Sequence, residues 1–136
     1  MKMLLALLFI SSSAFAQNKK DNIIILPGYH SLAEIKNVLF KNNYAIINND
    51  TSYLSTSSKE IGNMTVKLLI NRTDTSTMIK GMGKYQYEIQ TSPLETTSDF
   101  SLLYFGGMNK SPLRKAWQEM ERVAKQISPN IQYSKN

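Results

Sequence analysis

Two stretches of the chain repeat apolar residues at helical spacing, while shorter stretches alternate them or run them together as strands do. In the first, Leu32, Ile35, Val38 and Leu39 recur at steps of three and four. They follow Ser31-Leu32-Ala33-Glu34, which has the spacing of a capping box, and Asn42-Asn43 suits a left-handed stop. In the second, Ser111 is a good N-cap and Pro112 falls at the first helical position, where its missing amide costs nothing. Leu113, Ala116, Trp117, Met120, Val123, Ala124 and Ile127 then form one apolar face. Arg114, Lys115, Gln118, Glu121, Arg122 and Lys125 take the other, with Glu121 and Lys125 spaced to pair, and Pro129 stops the helix.

The strand-like segments fill the space between. Ile23-Ile24-Ile25-Leu26 is a β-branched run closed by Pro27-Gly28 and reads as a buried strand. Residues 44–48 and 52–56 read as strands flanking an Asn49-Asp50 turn. Residues 64–71 alternate clearly, with Val66, Leu68 and Ile70 on one face and Lys67, Leu69 and Asn71 on the other. Residues 77–89 form a long extended segment in which Gly81 and Gly83 share a face, the mark of a bulge or of a close backbone approach. Residues 91–98 are a polar loop, residues 100–105 a further strand, and the end of the chain beyond the second helix is expected to fray.

Two amphipathic helices each need a surface on which to bury one face. The expected architecture is therefore α+β, a two-layer sandwich whose mostly antiparallel sheet of about five strands carries both helices on one face. Such a sheet leaves its other face open. The order β-α-β-β-β-β-α resembles the TATA-binding-protein-like fold of small exported bacterial domains of unknown function. The bias toward Asn, Lys and Ile, with the Ala14-Phe15-Ala16-Gln17 junction, is similar to envelope proteins of Bacteroidetes-type bacteria. The resemblance is one of element order; it implies a fold and a compartment, and no residue role travels with it.

The compartment is also read from the start of the chain. Met1-Lys2, the apolar run at residues 3–10 and Ala14-Phe15-Ala16 form a secretory signal peptide, residues 1–16, with Gln17 the expected first mature residue of one domain, residues 17–136. The run is too short to span a bilayer, which takes about 20 apolar residues. The chain has no cysteine, so its core must hold without disulfides and no lipid anchor can be attached at the cleavage point. Export places the protein in the periplasm or outside a Gram-negative cell.

Lys and Arg number 16 against 10 Asp and Glu, a formal charge of +6. The basic residues are scattered rather than clustered, and export argues against nucleic acid as the partner. Catalysis finds little to work with. One histidine, His30, and no cysteine exclude a Cys-His pair and any His/Cys metal site, and His30 reads as a residue of the approach to a helix. Glu88, Glu95 and Asp99 could supply a carboxylate pair for a small hydrolase, but they flank a polar loop and read as solvated surface. No cofactor is expected.

The segment at residues 80–87 carries the strongest recognition signal. Alternation places Tyr85 and Tyr87 on one face and Lys80, Met82, Lys84 and Gln86 on the other. Tyrosines with a basic fringe are common in recognition surfaces, so Lys84, Tyr85 and Tyr87 are the candidate binding residues, with Tyr85 and Tyr87 alternatively continuing the core row of Ile79 and Ile89. The expectation is a non-catalytic exported domain that binds another envelope or secreted protein. The alternatives are the carboxylate hydrolase and an inhibitor or immunity-type protein presenting residues 91–98 to a partner enzyme.

Overall fold

The computed structural model describes residues 20–48, 50–86 and 99–135. In chain order the elements are β1 (Ile23–Pro27), α1 (Leu32–Lys41), β2 (Tyr53–Ser55), β3 (Lys59–Ile61), β4 (Met64–Arg72), β5 (Ser76–Tyr85), β6 (Ser101–Leu102), α2 (Pro112–Ile127) and β7 (Gln132–Ser134). The longest strands, β4 and β5, pair antiparallel without a break from Met64 opposite Tyr85 to Arg72 opposite Thr77. Around them the sheet runs β2-β4-β5-β1-β7, with β3 also on β4 and β6 also on β5.

Alternation along β4 and β5 divides the sheet into two faces. Val66, Leu68, Ile70 and Ile79 point inward with Ile24 and Leu26 of β1, and all are fully buried. The same core takes Ile35 and Leu39 from α1 and Trp117, Met120 and Ala124 from α2, so both helices lie on one face of the sheet. α2 spans β5, β4, β3 and β1 and also supports α1. Trp117 lies at its centre, fully buried, with the rings of Phe105 and Tyr133 at centroid distances of 6.3 and 6.4 Å. The sandwich is α+β as the periodicity requires, with seven strands among the described residues where about five were expected.

Both helices are N-capped by the predicted serines. The Ser31 hydroxyl accepts from the Glu34 amide, and the Ser111 hydroxyl from the Arg114 amide. Asn43 takes the left-handed conformation after α1, with φ 66°. The two glycines of β5 resolve in favour of close approach, because the β4–β5 register has no bulge. A Cβ on Gly81 would meet Leu103 Cδ1 at 2.7 Å, and one on Gly83 would meet Leu103 Cδ2 at 2.7 Å. The missing side chains leave the space into which Leu103 packs.

Four expectations are corrected. Residues 44–48 are not a strand; they lie beside β2 through an isolated bridge, Ile46 to Thr56, and a few backbone bonds. The strand expected at 100–105 is regular only at Ser101–Leu102, although Leu103 and Phe105 still donate amides to Gly81 and Asp21. β3 was not anticipated; it turns into β4 through Gly62 at φ 58°. The chain end does not fray directly after α2, because Gln132–Ser134 forms β7 on the free edge of β1. Tyr133 holds it there, stacking near Trp117 and donating its hydroxyl to the Glu121 carboxylate.

Candidate functional site

The face of the sheet turned away from the helices is the candidate site. Across it the register sets Thr65 beside Lys84, Lys67 beside Met82, Leu69 beside Lys80 and Asn71 beside Met78, and Met78 in turn lies opposite Ile25. Leu102 of β6 extends the row at Met82. Along β5 this face therefore reads Met78, Lys80, Met82, Lys84, with apolar and cationic positions alternating about every 7 Å. The methionines, Leu69 and Ile25 are half-buried, and Lys67 and Lys80 flank Met82 and Leu69. Among the described residues no helix packs on this face.

Phe100 lies over part of it, and Tyr53 of β2 stands on the same face opposite Asn71. The Phe100 ring centroid is 4.3 Å from Lys67 Nζ and 5.0 Å from Lys84 Nζ, so ammonium groups from two adjacent strands meet the same ring. That contact holds the two cations near each other without neutralising either. Among the described residues neither these lysines nor Lys80 has a carboxylate within ion-pair distance. Beside the face, past Leu102, opens a cavity of about 390 Å³ lined by Lys20, Asn22, Leu102, Tyr104 and Lys135. Lys20 and Lys135 thus add two more basic residues along one border.

The residues singled out from the sequence separate. Lys84 belongs to the open face. Tyr85 lies on the opposite side, across from Met64 at the end of the core row, and is 38% exposed. Tyr87 lies outside the described residues, as do Glu88, Glu95 and the loop at 91–98. Asp99 is described and exposed. Lys67 and Phe100 were not named as site residues. Lys67 carried a signal in the alternation of β4, whereas nothing local marks Phe100, which comes from a distant segment.

Among the described residues, a network of ionisable side chains forms elsewhere, between the helices and β3. Glu119 of α2 takes Lys59 Nζ at 3.0 Å and Arg122 at 2.8 Å, and accepts a weak bond from the Tyr44 hydroxyl at 3.4 Å. Arg122 and Gln126 also engage Asn42, the residue that ends α1, and Lys59 donates to the Asn42 carbonyl. Burial pushes the Glu119 carboxyl upward, but hydrogen bonds from Arg122 and Lys59 and their charges outweigh it and hold it below the usual range. Burial, and then the Glu119 charge, push the Tyr44 hydroxyl well up. With three donors converging on Glu119, its carboxylate is committed to joining α1, α2 and β3. His30 is placed similarly, its Nε2 3.2 Å from the Pro27 carbonyl at the approach to α1.

The exposed Asp50 accepts the Ser52 amide and hydroxyl, which lower its carboxyl and shape the turn into β2. No helix among the described residues is long and apolar enough to cross a membrane. Comparison with family models, with curated proteins and with solved structures finds no match for this chain.

Proposed function

We propose that this chain is an exported, non-catalytic binding domain, periplasmic or secreted, that docks a partner on the open face of its sheet. The observation that carries the reading is that face itself: half-buried Met78, Met82 and Leu69 interleaved with Lys67, Lys80 and Lys84, with no described helix upon it. Exposed apolar area fringed by charge is the composition of a recognition surface. Export rests on the leader at residues 1–16, and the likeness to small TATA-binding-protein-like envelope domains rests on element order. A non-catalytic role is supported by the committed state of the best ionisable cluster, in which Glu119 is held by Lys59, Arg122 and Tyr44. Lys84 remains in the site; Tyr85 faces the other way.

A cross-linked pull-down from the producing host tests the reading. Tagged chain should capture one dominant partner, and Lys67→Gln with Lys84→Gln should remove it while Trp117 keeps the blue-shifted emission of a buried indole. Lys36→Gln, on the exposed side of α1, should leave capture unchanged. Capture that survives the open-face changes and fails with the α1 change would move the site to the helix layer.

A further inference from the structure

We infer that the occupant of the open sheet face is an acidic, amphipathic segment of another protein, one that places an apolar row on Met78, Met82 and Leu69 and carboxylates on Lys67, Lys80 and Lys84. This rests on the docking reading above and adds the chemistry of the partner.

The charge of the face argues for an acidic occupant. Its three lysines have no carboxylate partner among the described residues, and two of them are held on the one Phe100 ring at 4.3 and 5.0 Å. Two cations gathered at one ring both attract an arriving carboxylate and disfavour any cationic partner. The cavity at the border adds Lys20 and Lys135, extending the positive field past Leu102. A second copy of this chain is therefore a poor occupant. It carries the same excess of Lys and Arg, and face-to-face pairing would set lysines against lysines.

The apolar side chains decide between a protein and a lipid surface. Insertion into a bilayer needs apolar groups that stand clear of the charged ones. Here Met78, Met82, Leu69 and Ile25 are half-buried, and Met82 and Leu69 have Lys67 and Lys80 directly beside them. The most protruding apolar side chains, Phe40 at 80% and Met108 at 82% exposed, are on α1 and on the loop before α2 instead. A recessed apolar row with cations beside it suits a partner that brings its own ridge of side chains. Methionine suits that use, since its flexible thioether adapts to the ridge it receives.

The test is a titration of the isotopically labelled full chain, followed through its backbone amide resonances. One probe is a synthetic helical peptide with a leucine stripe flanked by glutamates; the second is the same peptide with every Glu replaced by Gln. The expected result is that the Glu peptide shifts the amides of Lys67, Leu69, Lys80, Met82 and Lys84 and binds at least about tenfold tighter than the Gln peptide. Raising salt to about 0.5 M should erase the difference, and so should the triple change Lys67→Gln, Lys80→Gln, Lys84→Gln. Equal binding of both peptides at these amides would overturn the acidic partner and leave the docking face standing. Shifts confined to α1 or α2 would overturn both. Vesicles of phosphatidylglycerol that move the same amides when neither peptide does would overturn the protein partner in favour of an anionic lipid surface.

Discussion

At the scale of single residues, the molecule depends most visibly on side chains that are missing. Gly81 and Gly83 lie under Leu103, and a Cβ at either would come within 2.7 Å of a Leu103 methyl carbon. At Gly81 the Met120 sulfur would also be at 3.0 Å. Leu103 and Met120 are buried, so neither can swing into solvent to make room. Gly81→Ala is expected to cost about 1–3 kcal/mol, the range for overpacking a filled core, measured as a fall in the urea midpoint at unchanged slope. A stabilised protein would mean that Leu103 does not pack as described. The spacing of the two glycines was visible in the sequence as a mark of close approach or of a bulge. Which of the two applied was not, because Leu103 arrives from a segment some twenty residues away in the chain.

At the scale of elements, legibility followed local pattern. α1 and α2 announced themselves through apolar periodicity and through Ser31 and Ser111, and both caps form. β4 was equally plain, its alternation matching its burial residue by residue. β3 was missed because Lys59-Glu60-Ile61 has no apolar rhythm, although the Gly62-Asn63 step that follows is a hairpin signal in its own right. β7 was missed because Gln132-Tyr133-Ser134 is polar and follows a proline. Its pairing is decided by a partner edge more than a hundred residues earlier, together with the contact of Tyr133 to the core tryptophan. Ending the chain at Asn130 should therefore lower the melting temperature and speed amide exchange along Ile23–Ile25, the residues β7 pairs with. Unchanged exchange there would return this segment to a frayed tail.

At the scale of the whole molecule, one face of the sheet is filled by the helices and the other carries the lysines. The helix layer is closed by the Glu119 cluster, and this gives the fold a pH dependence of known sign. An unfolded glutamate titrates near 4.5, while the folded Glu119 carboxyl is held lower. Its contribution to stability is thus complete above about 4.5 and is lost as the pH falls through the lower, folded value. Glu119→Gln should melt well below the wild type near about pH 6, and the gap should narrow toward about pH 3. A gap that stays constant would show that the carboxylate charge is not what joins the layers. The opposite face was only half legible. Alternation already separated Lys84 and Lys67 from the core rows, but joining the two rows takes the β4–β5 register, and placing Phe100 over both takes the fold.

A partner seated on the open face is read directly by cross-linking from within it. A photo-reactive phenylalanine analogue is introduced at Met82, in the middle of the face, or at Lys36, on the exposed side of α1, and the producing cells are irradiated. Docking on the open face predicts a discrete adduct from position 82 and none from position 36. An adduct from position 36 alone would contradict it and place recognition on the helices.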